Sequence, residues 1–332
     1  MKIPRVDVLV VPVLAALLTA CATPPENPRA RHNVGLSRIV VPDARDKPIE
    51  MGVWYPTDAA PKPVDLGLTR QSVAVDAPVA GKALPLVVIS HGNGGGFTSH
   101  ADTAAALAAA GFVVAAPTHT GDNFRDDSYV GTARWLTERP RHMERVIEYM
   151  RSGWPEHTRL DGRVGVFGFS AGAFTALVLI GGEPDLTRVA QHCRAAPELA
   201  CSLFKGLPTA TPPRDAWVHD ARISAAVVAA PGLGFSFEPS GLAHLTAPVQ
   251  LWAGGDDRIV LAASNTALVR AQLPQSTEYH EVPGAGHMSF LTPCPGGPPT
   301  LCRDAEGFDR ASFHARFNEE VISFFRENLQ AR

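Results

Sequence analysis

The strongest constraint on the fold is an alternation of short, continuously apolar runs with longer segments of helical spacing, which begins near residue 84. Runs that are apolar throughout are typical of strands buried on both faces of a parallel sheet, and the helical segments supply the crossover connections. The pattern therefore predicts parallel βαβ units. The predicted strands cover residues 84–90, 112–117, 163–167, 223–229, 249–253 and 277–282, and the predicted helices include 99–110, 141–150, 171–180 and 262–272.

The segment before these units has a different pattern. Residues 33–41 and 48–54 carry alternating apolar residues on either side of a turn-forming run, Asp-Ala-Arg-Asp, at 43–46. Such alternation around a turn predicts an antiparallel hairpin. The sequence thus predicts an α/β fold: a mostly parallel sheet, an antiparallel N-terminal hairpin at its edge, and helices on both faces. Residues 56–82 are polar and dotted with prolines, and no element is predicted there.

Composition excludes several classes of protein. The chain has 332 residues, of which 45% are hydrophobic and 19% charged, and 30 basic residues face 33 acidic ones. These values exclude a disordered chain and a multispan membrane protein. No basic run is interleaved with aromatic residues, so we expect no nucleic-acid partner.

The N-terminus is predicted to be a targeting segment. Lys2 and Arg5 precede an apolar stretch, residues 8–20, that is too short to span a bilayer. Residues 1–20 are therefore predicted to be a signal peptide. The sequence Leu-Thr-Ala-Cys that ends at Cys21 resembles the lipobox of bacterial lipoproteins, which implies lipidation of Cys21, a tether at 21–32, and a location on the periplasmic face of the membrane, most simply the outer membrane. The alternative is an ordinary Ala-x-Ala secretory signal, and either version exports the protein.

The remaining four cysteines fall into two close pairs. Cys193 is near Cys201, and Cys294 is near Cys302. In an exported protein this spacing predicts two disulfides between nearest neighbours. Buried free thiols are the alternative. A metal site is not predicted, because no C-x-x-C spacing occurs.

The most specific chemical motif is Gly-Phe-Ser-Ala-Gly at residues 168–172, between a predicted strand and a predicted helix. This is the G-x-S-x-G nucleophile elbow, in which a tight turn exposes a serine and small residues on either side make room for it. We expect Ser170 to be the nucleophile. The backbone N–H of Ala171, at the start of the helix, is expected to point toward the developing oxyanion.

A serine hydroxyl is a weak nucleophile, so it needs a neighbouring base that accepts its proton. A histidine that acts as this base needs a carboxylate that holds its ring in the correct tautomer. The predicted strand 249–253 is followed by a loop that contains Asp257, the candidate acid. The next strand is followed by the small-residue loop 283–288, which contains His287, the candidate base. The three residues follow in the order serine, acid, histidine.

A glycine-rich loop, Ser-His-Gly-Asn-Gly-Gly-Gly at residues 90–96, follows the strand at 84–90. Glycines there would let the backbone approach the site. A phosphate-binding loop is the alternative, but the Lys-Ser/Thr of a P-loop is missing. His91 is expected to brace this loop by hydrogen bonding. Most other histidines are expected to be solvated or to cap helices.

With these residues together, the chain resembles the α/β-hydrolase superfamily, and within it the dienelactone-hydrolase-like group with bacterial relatives of platelet-activating-factor acetylhydrolase. The resemblance covers most of the chain after the tether, residues 33–332. It depends on Val-Trp-Tyr-Pro-Thr at 53–57, the loop at 90–95, Ala-Ala-Pro-Thr-His at 115–119, Arg139-Pro140 opening a helix, the elbow at 168–172, and Gly286-His287.

This resemblance implies an α/β-hydrolase fold, and it implies that the backbone N–H of Asn93 is the second oxyanion donor. Two departures from the family matter. Dienelactone hydrolases proper have a cysteine nucleophile where this chain has Ser170, which favours ordinary esters. Acetylhydrolase relatives often place the acid soon after the strand that follows the elbow, where Glu238 is the only nearby carboxylate. We therefore favour Asp257, with Asp256 and Glu238 as alternatives.

An insertion at residues 183–222 separates the elbow helix from the next strand and has the length of a lid. If it covers Ser170, then Leu199, Leu203 and Phe204 would shape the substrate pocket. A surface excursion pinned by its disulfide is the alternative.

The predicted function is hydrolysis of a small or lipid-like carboxylic ester through an acyl-enzyme, without a metal or organic cofactor. A second hypothesis keeps the triad but replaces the ester by an amide or a lactone. A third is a lipid-anchored binding protein of hydrolase fold that has lost turnover. The expected partners are the substrate and the membrane, reached through the lipid anchor.

Overall fold

The computed structural model describes residues 31–274 and 276–329. The described strands are β1 (Asn33–Val41), β2 (Ile49–Thr57), β3 (Lys62–Asp65), β4 (Arg70–Val75), β5 (Leu84–Ser90), β6 (Val113–Pro117), β7 (Leu160–Phe169), β8 (Ile223–Ala229), β9 (Val249–Gly254) and β10 (Glu278–Val282). They form one sheet in the order β10-β9-β8-β7-β5-β6-β2-β1-β4-β3.

The half of the sheet from β10 to β6 is parallel throughout, and β2 pairs antiparallel with both β6 and β1. The predicted α/β architecture with an antiparallel N-terminal hairpin is therefore confirmed. The polar stretch at 56–82 differs from expectation, because it contains β3 and β4. Both are short: β3 is the edge strand and β4 is its neighbour, in a part of the sheet where exposed polar residues are tolerated and apolar periodicity is weak.

The helices are α1 (Ala101–Ala109), α2 (Ala133–Ser152), α3 (Ala171–Leu179), α4 (Leu186–Ala195), α5 (Leu199–Ser202), α6 (Pro239–Ala243), α7 (Thr266–Gln272), α8 (Pro299–Cys302) and α9 (Arg310–Asn328). They cover both faces of the sheet. On β5, Leu86 and Val88 face a core shared with α2 and α3, whereas Val87 and Ile89 face a core shared with α1 and α9. Burial on both faces explains why this strand is apolar throughout.

Helix α2 begins earlier than the sequence predicts. We expected Arg139-Pro140 to open a helix, but α2 starts at Ala133 and carries Pro140 in its interior. The Thr132 side chain caps the helix by accepting a hydrogen bond from the Trp135 N–H at 3.3 Å. Proline is normally a helix-start signal, and here the buried face of α2 outweighs that preference. Helix α9 lies after residue 302, where no element was predicted.

The loops that matter for function lie at one edge of the sheet. Strands β5, β7, β9 and β10 are parallel neighbours or near neighbours, so the loops after their carboxyl ends lie close together. In open α/β sheets this edge is where ligands bind. The glycine-rich loop, the elbow, the Asp257 loop and the His287 loop all follow these strands.

The predicted signal peptide, the lipidation site Cys21 and residues 21–30 of the predicted tether lie outside the described residues. The last two tether residues contact the domain: the His32 N–H donates to the Ala109 carbonyl at 2.9 Å, and Arg31 lies 3.8 Å from Glu319. Across the described ranges, we find no helix with both the length and the apolar character needed to cross a bilayer.

Candidate active site

Ser170 lies between the end of β7 and the start of α3, in a backbone conformation that non-glycine residues rarely adopt. Its φ is 56° and its ψ is −118°. Such strain persists only where the surroundings hold it. A Cβ on Gly172 would collide with the Ser90 carbonyl, and one on Gly168 would collide with the Gly172 backbone. This close packing is the physical reason for the G-x-S-x-G spacing.

The structure brings Ser170, His287 and Asp257 into one hydrogen-bonded chain. The Ser170 Oγ lies 2.9 Å from the His287 Nε2, and the His287 Nδ1 lies 2.6 Å from an Asp257 carboxylate oxygen. A carboxylate only accepts hydrogen bonds, so the Nδ1–H donates to it and the neutral ring presents a lone pair at Nε2. The serine hydroxyl can therefore donate its proton to the imidazole.

Asp257 is held in place by backbone groups. Its other carboxylate oxygen accepts hydrogen bonds from the N–H groups of Ile259 and Val260 at 2.9 and 2.8 Å. One oxygen is thus occupied by the loop while the other faces His287. The alternative acids, Asp256 and Glu238, are both exposed, and within the described chain neither makes a hydrogen bond to His287.

Both residues predicted to supply the oxyanion donors line the cavity that contains Ser170. Ala171 is the first residue of α3, so its N–H has no acceptor within the helix. A Cβ on Gly92 would lie 3.3 Å from the Ser170 Cβ, which places the glycine-rich loop directly against the elbow. Asn93, Ala171 and Ser170 line the same cavity.

A buried ion pair that the sequence analysis missed holds the glycine-rich loop. One Asp122 oxygen accepts hydrogen bonds from the Asn93 side-chain amide and the Gly94 N–H, both at 2.8 Å. The other oxygen accepts from Arg139, which also donates to the His91 carbonyl. Both charged side chains are 1% exposed. Burial alone would raise the pKa of Asp122, but the Arg139 guanidinium together with hydrogen bonds from the Gly94 N–H and the Trp135 indole lowers that pKa, so the carboxylate stays charged.

His91 braces the loop as expected. Its Nδ1 lies 2.6 Å from the Gly92 carbonyl, and its Nε2 accepts the His119 N–H at 3.1 Å, which sets a neutral tautomer. The expectation that most other histidines are solvated or cap helices is wrong for four of them. His100, His119, His142 and His314 are at most 2% exposed.

Burial dominates the titration of His91, His100, His119 and His142. It lowers the pKa of His91 to about 4 and the pKa values of His100 and His142 to about 3. Burial likewise puts the pKa of His119 well below its ordinary value. The cause is the cost of charging an imidazole away from water. These four rings are therefore neutral at pH 7.

Ser170 and His287 line a cavity of about 480 Å³ with mainly apolar walls. This volume is typical of small-molecule sites. The predicted insertion supplies part of the wall through Leu199, Ala200 and Leu203. We expected Phe204 to line the cavity, but it does not. It packs behind the wall, with its ring 6.0 Å from that of Trp135.

The structure pairs the cysteines as predicted. Disulfides join Cys193 to Cys201 and Cys294 to Cys302. The first joins α4 to α5 beside the cavity wall. The second closes the loop after His287, and Leu301 in that loop also lines the cavity.

One group of side chains in the described part of the chain has the composition of a metal site. The ligand atoms of Asp46, Glu138 and His142 all lie within 4.8 Å of one another. Arg134 lies 3.2 Å from the Asp46 carboxylate, and Arg141 lies 2.5 Å from that of Glu138. Because guanidinium groups already neutralise both carboxylates, we assign no metal to this group.

Comparisons with known proteins agree with this architecture. The family model for platelet-activating factor acetylhydrolase, isoform II, matches residues 64–152, a segment that contains the glycine-rich loop, Asp122 and Arg139 but ends before the elbow. No curated protein sequence matches the chain.

Two solved structures share the fold over nearly the whole chain. The ferulic acid esterase from Streptomyces cinnamoneus is 22% identical, with a TM-score of 0.64 over 92% of this chain and 93% of that one. The dienelactone hydrolase from Anabaena variabilis is 17% identical, with a TM-score of 0.52 over 90% of this chain and 100% of that one. The chain is therefore a protein of the α/β-hydrolase fold, similar to the platelet-activating factor acetylhydrolase and dienelactone hydrolase groups.

Proposed function

We propose that the protein is a serine carboxylic-ester hydrolase. The observation that carries this proposal is the hydrogen-bonded chain from Ser170 through His287 to Asp257 at the floor of an apolar cavity. Two structural relatives are by name an esterase and a hydrolase of a lactone, and both names support acyl transfer to water.

In the first half of the reaction, Ser170 attacks the ester carbonyl while the His287 Nε2 takes its proton. The imidazolium that forms is stabilised by Asp257, which stays ionised. The positive φ of Ser170 matters here, because it lifts the hydroxyl out of the helix and toward the cavity.

The carbonyl oxygen becomes an oxyanion in the tetrahedral intermediate. The N–H groups of Ala171 and Asn93 would donate to it, and each such donor contributes on the order of 10²–10³ in rate. The buried Asp122–Arg139 pair sets the position of the glycine-rich loop before the substrate arrives, so little reorganisation is needed during reaction.

In the second half, His287 returns its proton to the leaving alcohol as the bond to the acyl carbon breaks. The same imidazole then takes a proton from water, which attacks the acyl-enzyme and releases the carboxylic acid and free Ser170. Atoms and charge balance without a cofactor.

The test is hydrolysis of a series of p-nitrophenyl esters, from acetate to long acyl chains, by the wild type and by Ser170→Ala. We expect the variant to lose nearly all turnover and to keep its fold, because only the nucleophile is removed. The matched control is Ser323→Ala, an exposed serine on α9, which should keep full activity.

Turnover by Ser170→Ala at the wild-type rate would overturn the proposal. If the wild type hydrolyses no ester, the next comparison is labelling by a fluorophosphonate, which reacts only with an activated serine. Labelling without ester turnover would indicate an amide or lactone substrate, and no labelling would indicate a binding protein.

A further inference from the structure

Glu198, at the start of α5 in the insertion, is a buried carboxylate that the proposed mechanism does not use. Its side chain is 3% exposed, and it does not line the cavity. A buried carboxylate is costly unless hydrogen bonds compensate it. Its partners therefore indicate what the residue does.

Three side chains donate to this carboxylate. The His192 Nε2 lies 2.8 Å from it, the Ser264 Oγ lies 3.2 Å from both oxygens, and the Asn265 Nδ2 lies 3.2 and 3.3 Å from the two oxygens. We call Glu198 and these three partners the Glu198 clamp. His192 belongs to α4, whereas Ser264 and Asn265 are the last two residues of the loop that follows β9 and contains Asp257.

The clamp joins separate parts of the cavity wall. Leu199, Ala200 and Leu203 follow Glu198 directly, and Ile259 and Val260 belong to the loop that Ser264 and Asn265 end. Both groups line the cavity, and they come from segments about 60 residues apart in the chain. Neither of the two described disulfides joins these segments, whereas the clamp connects them through hydrogen bonds between side chains.

Asn265 extends the clamp to a third wall. Its side-chain oxygen accepts the Gly234 N–H at 2.9 Å, in the loop after β8 that contributes Gly232 and Leu233 to the cavity. On the same side, the His192 ring stacks on Phe235 with centroids 4.0 Å apart. Three segments of the cavity wall are thus connected to the Glu198 carboxylate, either directly or through Asn265.

From this convergence we propose that Glu198 is a specificity-determining residue, which fixes the width of the cavity between the insertion and the Asp257 loop and thereby selects the acyl group by size. The inference depends on the proposed ester hydrolysis. Glu198 touches no reacting atom, so it acts as a positioning residue. Its loss should change which esters are accepted more than how fast a small ester reacts.

The experiment compares the full chain with Glu198→Ala over the p-nitrophenyl ester series. We expect kcat for the acetate ester to stay within about threefold, because a short acyl group does not need the far wall. The ratio of kcat/KM between the best and the poorest acyl length should fall about tenfold or more, mainly through KM, as expected when a pocket loses its fit to one or two methylene groups.

Glu198→Gln is the conservative variant, since it keeps the length and an oxygen acceptor, and it should restore most of the wild-type selectivity. The matched control is Glu183→Ala, which removes another insertion carboxylate that pairs with the solvent-exposed Arg214. This control should leave the acyl-length profile unchanged. If Glu198→Ala does not fold, Glu198→Asp replaces it, since the retracted carboxylate should shift the preferred acyl length.

An unchanged acyl-length profile in folded Glu198→Ala or Glu198→Asp would overturn the inference. So would an equal loss on every ester, which a purely structural role would give. Amide hydrogen exchange provides a measurement that needs no activity. Residues 199–203 and 259–265 should lose protection together in Glu198→Ala and not in Glu183→Ala, and loss in only one segment would contradict the clamp. If the wild type hydrolyses no ester, the proposed function fails, and exchange still decides whether the clamp exists.

Discussion

At the scale of single residues, the choice of the triad acid depends on which carboxylate reaches the imidazole. Asp256 and Asp257 are adjacent in the sequence, and only the second points at His287, because the N–H groups of Ile259 and Val260 turn its side chain inward. The neighbouring Asp256 is exposed. Although the two residues are adjacent, Asp256 is therefore solvated, whereas Asp257 is the hydrogen-bond partner of the His287 imidazole.

This geometry predicts the effect of replacing each acid. Asp257→Asn should lower kcat on the order of 10³–10⁴-fold, because the amide no longer holds the Nδ1–H tautomer of His287. Asp256→Asn and Glu238→Gln should each keep activity within about twofold, since exposed side chains without special contacts tolerate substitution. Steady-state kinetics on one short ester measure all three variants. A severe loss in Asp256→Asn would assign the acid to that residue instead.

At the scale of elements, the turn from β7 to α3 and the two disulfides position the cavity. The elbow works because α3 is buried on all sides and anchors the strained turn at Ser170. The disulfides likewise anchor segments that are less regular. Cys193–Cys201 ties α5 to α4, whose Leu186 and Val189 are buried in the core, so the outer wall is anchored to the core.

The two disulfides close loops of the same length, with a sequence separation of 8 in each. The chain-entropy model therefore predicts the same stabilisation from each, about 2–3 kcal/mol. The paired variants Cys193→Ser with Cys201→Ser, and Cys294→Ser with Cys302→Ser, should each lower the free energy of unfolding by this amount. Urea unfolding monitored by fluorescence measures it. A much larger loss in one pair would mean that its cysteines contribute packing as well as the cross-link.

At the scale of the whole molecule, the buried histidines make stability depend on pH. His91, His100 and His142 have pKa values of about 4, 3 and 3, all lowered chiefly by burial. In the unfolded chain a histidine binds a proton below about pH 6.5. Between that pH and the folded pKa, the unfolded state therefore holds more protons, and acid favours unfolding.

We expect the free energy of unfolding to fall as the pH drops from about 6.5 toward 4, with each of these histidines contributing up to about 1.4 kcal/mol per pH unit. His100→Leu should reduce this slope by the contribution of one histidine, because leucine does not titrate. Leucine suits the site, since His100 packs between the rings of Phe167 and Phe169. The exposed His244 is the control, and His244→Leu should leave the slope unchanged. Urea midpoints at pH 7, 6 and 5 test this, and an identical slope in His100→Leu would show that His100 is not a neutral buried group.

The prediction of export and lipidation at Cys21 stays a prediction. The order of strands and helices was predicted well, because apolar periodicity is a local property of consecutive residues. The departures were the short strands β3 and β4 near one edge of the sheet, the start of α2, where packing outweighed the signal from Pro140, and helix α9, which was not predicted.

What the sequence by itself determined was the parallel core, the elbow at Ser170 and the candidate base His287, because strand patterns and turn residues are properties of short stretches of chain. The tertiary structure decided which carboxylate contacts that histidine. Only the tertiary structure decided that Asp122 and Arg139 hold the glycine-rich loop and that Glu198 joins the insertion to the Asp257 loop. These contacts link residues that are distant along the chain. Burying a charged group costs free energy, so each of these carboxylates needs partners that compensate it, and the packing of distant segments determines which partners meet.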